Sequence, residues 1–274
     1  MTDLGELAVR EYGTVGHEAV VLHGGPGAAG SAEPVARGLA DSFHVIEPWQ
    51  RGSGDTPLTV HRHILDLQKI SKKYARHRRP ALVGESWGAM LALAYVAEYP
   101  VHTGRIVLIG CGTFDTVSRG KMNSILEERM DEGLRKQLAA IADEYSDPAV
   151  RLQKKYELTR HLYLYDSDGM PHDDVGAADP FDVNANKETW DDMIRLQDDG
   201  LYPAAFSVIQ SPLLMIHGEY DPHPGEMIRD SLLLHLPQLE YHQLKRCGHS
   251  PWLERAARDE FFALLKSWLV ANME

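Results

Sequence analysis

The sequence is poor in cysteine, in basic charge and in long apolar runs. Two cysteines, Cys111 and Cys247, among 274 residues are too few for a disulfide framework or a cysteine metal cluster, which indicates a reducing compartment and two buried thiols. The net charge of −12 argues against a nucleic-acid partner, because phosphate binding depends on clustered Lys and Arg. No apolar stretch reaches membrane-spanning length, and no basic segment followed by an apolar run opens the chain. These absences predict a cytoplasmic protein without membrane contact.

The residues that are present are those of a folded globular protein. A hydrophobic content of 43% and a charged content of 25% are ordinary for that class, and the length suits one large domain with an insertion or two modest ones. Apolar strands at 17–22, 81–84 and 105–110 alternate with helices at 61–78 and 86–98. Since such strands are buried on both faces, the pattern predicts an α/β fold with a mostly parallel, doubly wound sheet.

The pattern changes after Cys111. Apolar residues recur there at helical spacing, and no strand-like run follows until Pro212. We therefore predict a core domain formed by residues 1–111 and 208–274, and a helical cap insertion formed by residues 112–207. The sheet resumes at 212–218 and 239–244, and a last helix carries Phe261, Leu265, Trp268 and Leu269.

The segment Gly84-Glu85-Ser86-Trp87-Gly88 lies between a predicted strand and a predicted helix. In that context a G-x-S-x-G motif indicates a sharp turn that exposes the serine as a nucleophile. Glycine is needed two positions before and after the serine, because strand and helix crowd the turn. The motif predicts Ser86 as a nucleophile at the end of a strand.

A serine hydroxyl needs a base, and the base needs an orienting acid. His249 follows the last predicted strand and Asp221 follows the strand before it, and strand ends are where catalytic residues of an open α/β sheet gather. The chain order Ser86, Asp221, His249 is that of a known hydrolase triad. Glu219 is a competing acid, but the prolines after Asp221 would hold its turn.

The reaction also needs two backbone N–H groups for the oxyanion of the tetrahedral intermediate. We predict Trp87, directly after the nucleophile, and Gly25 in the loop His23-Gly24-Gly25-Pro26-Gly27. Glycine lets its amide face a substrate, and Pro26 stiffens the loop without adding an N–H. We interpret His23 as a brace for this loop and not as an acid or base.

The chain resembles the α/β-hydrolase superfamily and, within it, the proline iminopeptidase branch. The resemblance is carried by the HGGPG loop at 23–27, by Gln50-Arg51-Gly52-Ser53-Gly54 and by the Ser86 motif with its Leu91–Tyr95 helix. It implies Ser86, Asp221 and His249 as the triad and Gly25 and Trp87 as the oxyanion hole. Trp49 departs from that branch, which usually has an aspartate there. The paired cap glutamates that hold the substrate amine have no matching motif.

The predicted cap is acidic. Its stretch from Asp166 to Asp199 holds eleven carboxylates and could favour a cationic substrate, with Glu188, Asp191 and Asp192 as candidate substrate-binding residues. The alternative is a solvated helix face that keeps the protein soluble. Asp166-Ser167-Asp168-Gly169 lacks the later ligands of a calcium loop and is interpreted as a plain turn, so no metal is expected.

These motifs together predict a serine hydrolase that needs neither metal nor cofactor and forms an acyl-enzyme on a small molecule or short peptide. The resemblance favours an aminopeptidase that acts on N-terminal proline. A carboxylesterase or lactonase acting on a small acyl compound is the first alternative. A hydrolase fold that binds a ligand without turnover is the second. The sequence carries no signal for an oligomeric state.

Overall fold

A seven-stranded sheet forms the centre of the protein, as seen in a computed structural model that describes residues 7–75, 79–167 and 181–271. The strand order is β1-β3-β2-β4-β5-β6-β7, and only β1 runs antiparallel to its neighbour. The strands are β1 (Val9–Tyr12), β2 (Glu18–Leu22), β3 (His44–Pro48), β4 (Ala81–Glu85), β5 (Ile106–Ile109), β6 (Leu213–Gly218) and β7 (Leu239–Leu244).

Helices cover both faces of the sheet, which confirms the predicted doubly wound α/β fold. The α-helices are α1 (Glu33–Leu39), α2 (Val60–Tyr74), α3 (Trp87–Glu98), α4 (Thr116–Arg129), α5 (Glu132–Glu144), α6 (Pro148–Thr159), α7 (Val183–Asp198), α8 (Gly225–Leu233) and α9 (Arg258–Val270). The sequence pattern did not indicate α8. Of the described helices, none is long and apolar enough to span a bilayer.

Two apolar layers hold the sheet, because neighbouring residues of a strand point to opposite faces. Leu82 and Leu108 pack toward α2 and α3, whereas Val83 and Val107 pack toward α1 and α9. The helix α3 is buried along most of its length, and its small alanines let it lie close to the strands. The strand ends beneath the predicted catalytic motifs are thus fixed from both faces.

The described residues between β5 and β6 form helices joined by loops, and their one β contact is the isolated bridge Ser167 to Glu254. The apolar residues that recur at helical spacing between Leu126 and Ile141 are divided between α4 and α5. The division falls at Asp131, whose side chain accepts the N–H of Leu134 at 2.7 Å and starts a new helix. The division into core and cap stays a prediction. Asp168 and Gly169 of the predicted turn lie outside the described residues.

Both cysteines are free and buried. Burial raises the pKa of each thiol, since the thiolate would lose its hydration. The two side chains pack as small apolar groups, Cys111 shortly after β5 and Cys247 shortly before His249 in the same loop.

Candidate active site

Ser86 occupies a strained turn between β4 and α3. Its backbone has φ 51° and ψ −116°, a conformation that costs a non-glycine residue free energy. A Cβ at Gly84 would lie 2.3 Å from the carbonyl oxygen of Gly88, and one at Gly88 would lie 2.4 Å from that of Leu22. The two glycines therefore let strand and helix close tightly enough to force this turn. The backbone N–H of Ser86 also donates to the Ile109 carbonyl at 2.8 Å.

His249 and Asp221 form the second part of the site. Nδ1 of His249 lies 2.7 Å from Oδ2 of Asp221, and the aspartate is only 5% exposed. Burial raises the pKa of Asp221, but the surrounding His249, His217 and His223 outweigh it and hold that pKa well below its usual range. For His249 the effects have the opposite signs. Burial lowers its pKa, but the charge of Asp221 and the hydrogen bond to Asp221 outweigh burial and raise that pKa overall. Asp221 is thus ionised and orients the imidazole.

Gly110 connects the serine to the histidine. It follows β5, whose last residue, Ile109, accepts the Ser86 N–H, and a Cβ at Gly110 would lie 3.0 Å from Nδ1 of His249. Parallel pairing of β4, β5 and β6 brings the three strand ends to one edge of the sheet. Among the described residues, the structure forms the His249–Asp221 hydrogen bond but none between Ser86 and His249. Assignment of the triad stays a prediction.

The predicted oxyanion loop lies against the serine turn. A Cβ at Gly24 would approach the Ser86 Cβ to 3.1 Å, and Gly25 has φ +41°. Trp87 is the first residue of α3, and the first N–H groups of a helix have no carbonyl partner within it. Gly25 and Trp87 therefore have backbone positions compatible with the predicted pair of donors.

His23 braces this loop in the neutral form. Burial lowers the pKa of His23 to about 4, its Nε2 accepts the Gln50 N–H at 3.0 Å, and Nδ1 is 2.9 Å from the Gly24 carbonyl oxygen. The Gln50 side chain in turn accepts a hydrogen bond from the indole N–H of Trp87 at 2.6 Å. One network therefore joins the HGGPG loop to the serine turn.

Glu85 is a site residue that the sequence reasoning missed. Its Oε1 accepts the N–H of Gly24 at 2.9 Å and the hydroxyl of Ser31 at 3.2 Å, and the side chain is only 6% exposed. Burial raises the pKa of Glu85 to about 7, against the opposing effect of these two hydrogen bonds. Its place as the variable residue of the G-x-S-x-G motif is the one sequence signal that could have drawn attention to it.

A second carboxylate, Glu254, fixes the loop that carries His249. It is fully buried, and its two oxygens accept the backbone N–H groups of Gly248, Tyr165 and Asp166 at 2.7–2.8 Å. The N–H of His249 donates to the Tyr163 carbonyl at 2.7 Å. The segment after α6 is therefore tied to the histidine loop at several points.

The N-terminus of α7 lies on the HGGPG loop, which is the predicted oxyanion loop. Asp182 caps that helix by accepting the N–H of Ala185 at 2.9 Å, and its carboxylate also accepts the N–H and hydroxyl of Ser53. The Asp182 N–H donates to the Gly27 carbonyl at 3.0 Å. One residue thus joins α7 to both glycine-rich loops.

The three predicted substrate-binding carboxylates make contacts within the protein. Glu188 accepts the N–H of Leu58 at 2.7 Å and Asp192 accepts that of Val60 at 2.8 Å, so both hold the start of α2. Asp191 is exposed and paired with Lys187. The structure brings none of the three into contact with Ser86, Asp221 or His249.

The site also has the spacing of a metal centre. Among the described residues, ligand atoms of Asp221, His223 and His249 lie within 4.8 Å of one another. Nδ1 of His223 is already within hydrogen-bond distance of Oδ1 of Asp221, and Nδ1 of His249 is within that distance of Oδ2. We therefore assign this cluster to hydrogen bonding rather than to a cation.

This fold and this arrangement of loops match a known family. The model of the alpha/beta hydrolase family covers residues 19–264, and the chain belongs to that family. It is 23% identical to a proline iminopeptidase of Lactobacillus acidophilus, over 92% of this chain and 90% of the relative. It is 26% identical to a 2-hydroxy-6-oxononadienedioate/2-hydroxy-6-oxononatrienedioate hydrolase of Burkholderia vietnamiensis, over 90% of this chain and 86% of the relative. The crystal structure of VinJ superposes with a TM-score of 0.70 at 18% identity, covering 98% and 96% of the two chains. The chain is thus an enzyme of the α/β-hydrolase fold, distantly similar to hydrolases of two named activities.

Proposed function

We propose that the protein is a serine hydrolase that acts through an acyl-enzyme. Ser86 attacks a carbonyl carbon while His249 takes the hydroxyl proton, and Asp221 orients and stabilises the imidazolium. The N–H groups of Gly25 and Trp87 hold the oxyanion. His249 then returns the proton to the leaving group, and a water activated by the same histidine releases the acyl group. No metal or cofactor takes part in this scheme.

The positive φ of Ser86 carries the proposal. A strained backbone at a non-glycine residue points to function when the surroundings enforce it, and here Gly84 and Gly88 allow the close approach that does so. The 2.7 Å hydrogen bond between His249 and Asp221 at the same sheet edge supplies the oriented base that such a serine needs.

A small amide is the first substrate class, as the proline iminopeptidase relatives suggest. An ester of a small acid is the alternative, and a specific observation favours it. An aminopeptidase needs free carboxylates to hold the substrate ammonium group, but Glu188 and Asp192 are engaged with backbone N–H groups of the α2 start. The named activity of the Burkholderia relative adds carbon–carbon bond hydrolysis of a dienoate as a third substrate to try.

A fluorophosphonate probe tests the mechanism. We expect covalent labelling of the native protein at Ser86 and none of Ser86→Ala, whose turnover should fall by about 10⁴-fold or more. Ser124→Ala is the matched control, because that serine lies on α4 and its hydroxyl donates only to the Gly120 carbonyl. Native protein that resists the probe would support the ligand-binding alternative instead.

A comparison of substrates tests the class. The kcat/KM values are measured side by side for a prolyl arylamide, a short-chain aryl ester and a 2-hydroxy-6-oxo-dienoate. Amide turnover lower than ester turnover by several orders of magnitude would remove the peptidase assignment, and Ser86→Ala measured on each substrate corrects for background hydrolysis.

A further inference from the structure

Asp221 has two carboxylate oxygens, and a second histidine binds the one that His249 does not use. Nδ1 of His223 lies 2.9 Å from Oδ1, and the backbone N–H of His223 donates to the same oxygen at 2.9 Å. His249 binds Oδ2 at 2.7 Å. Nε2 of His217 also lies 3.2 Å from Oδ2, so His249 and His217 face one carboxylate oxygen and His223 faces the other.

The two imidazole rings also lie on each other. Their centroids are 4.6 Å apart with an interplanar angle of 22°, and the edge of the Tyr163 ring meets the His249 ring. The His223 backbone carbonyl accepts a hydrogen bond from Nε2 of His217 at 2.9 Å. Packing on one side and a hydrogen bond on the other therefore fix the position of His223.

We propose that His223 is a positioning residue that shares the Asp221 carboxylate with His249 and limits how strongly that carboxylate holds a proton on His249. This inference rests on the proposed function, in which His249 is the base. Each donor to a carboxylate disperses its negative charge, so a carboxylate with an additional donor attracts a neighbouring imidazolium less strongly. A lower pKa of His249 favours catalysis, because a base that is already protonated at working pH cannot accept the serine proton.

Other titratable groups, from the elements packed around them, also face Asp221 and His249. These groups are unchanged in the position 223 variants described below. They are Glu85 from β4, Cys111 after β5, Arg129 from α4, Tyr163 after α6, His217 from β6, Tyr241 from β7 and Cys247 after β7.

Two substitutions at one position separate the hydrogen bond from the ring contact. His223→Phe keeps an aromatic ring against His249 and removes the Nδ1 donor. His223→Asn loses the ring but keeps an N–H near the position of Nδ1. We expect the pKa of His249 to rise in His223→Phe by on the order of half a unit or more and to stay near the native value in His223→Asn. His61→Phe is the control, since that histidine is exposed on α2.

The pKa of His249 is followed by NMR of its ring protons in a Ser86→Ala background and, separately, through the acid limb of kcat/KM in active protein. The NMR measurement does not depend on turnover, so it tests the sharing of Asp221 even if the proposed hydrolysis fails. A rise in His223→Phe alone supports the proposal. The proposal would be overturned if the pKa of His249 were the same in both variants and in the native protein. It would also be overturned if that pKa shifted equally in both variants.

Discussion

Glu85 places a carboxyl group directly beside the proposed nucleophile. One oxygen holds Gly24 and Ser31, while the other, Oε2, is buried without a hydrogen-bond partner among the described residues. Burial raises the pKa of Glu85 to about 7, because an ionised carboxylate there would lose its hydration. The carboxyl group is therefore neutral in mildly acid solution and ionises near neutral pH.

This shift makes stability depend on pH in a definite direction. A carboxyl whose pKa is higher in the folded than in the unfolded state contributes full stability below its unfolded pKa and loses it as pH rises through the folded pKa. Between about pH 4.5 and 7 the native protein should lose stability relative to Glu85→Gln, which copies the neutral acid. The difference in free energy of unfolding should reach on the order of 3 kcal/mol.

Thermal or urea unfolding of both proteins across that range measures the effect. Glu226→Gln is the matched control, because Glu226 is exposed in the first turn of α8. A difference between native protein and Glu85→Gln that stays constant with pH would contradict the assigned ionisation.

Single residues also mark how far the sequence could predict the site. Ser86, Asp221, His249 and the glycine loops were predictable in position, because each follows a predicted strand and the carboxyl ends of parallel strands meet at one edge of the sheet. The partnership of Glu85 with Gly24 and that of Gln50 with Trp87 was not, since 61 and 37 residues separate the partners and no periodicity marks such pairs.

Helix α7 shows how a single N-cap residue can join two parts of the fold. Its N-cap residue Asp182 accepts the backbone N–H groups of Ala185 and Ser53 and the hydroxyl of Ser53. Burial raises the pKa of Asp182, but these hydrogen bonds lower it overall. The start of α7 is consequently held against the loop that carries Gly52 and Ser53 and, through the Gly27 carbonyl, against the HGGPG loop.

We expect Asp182→Ala to lower both stability and kcat/KM. The lost cap and the lost contacts with Ser53 should cost about 1–2 kcal/mol in the free energy of unfolding, and a looser oxyanion loop should reduce turnover. Asp147→Ala is the matched control, because Asp147 caps α6 through Ala149 alone. Equal kcat/KM losses in the two variants would mean that capping as such, and not the contact with Ser53, affects the site.

The acidic residues of α7 show why composition alone did not predict their partners. Glu188 and Asp192 were singled out as candidates for a cationic ligand, but they hold the start of α2. A carboxylate on an amphipathic helix can face solvent, substrate or a backbone N–H of another helix, and the local sequence is the same in all three cases. Tertiary packing decides between them.

The whole molecule carries a net charge of −12. Such a field attracts cations over distances comparable to the Debye length, which is about 10 Å at 0.1 M salt. We expect kcat/KM for an ester with a quaternary ammonium group to fall several-fold between about 0.01 and 0.5 M NaCl. Its uncharged carbon isostere serves as the control and should change little. Parallel salt dependence for the two esters would refute electrostatic attraction.

The left-handed backbone at Ser86 has an effect that reaches beyond the reaction. Glycine is the residue that adopts that backbone angle most readily, and a native structure gains when such a position relaxes. A library of variants sorted only for resistance to heat would therefore enrich glycine at position 86 and discard the hydroxyl. Under the proposed function the same substitution removes the nucleophile, so selection for heat resistance alone and selection for turnover favour different residues at position 86.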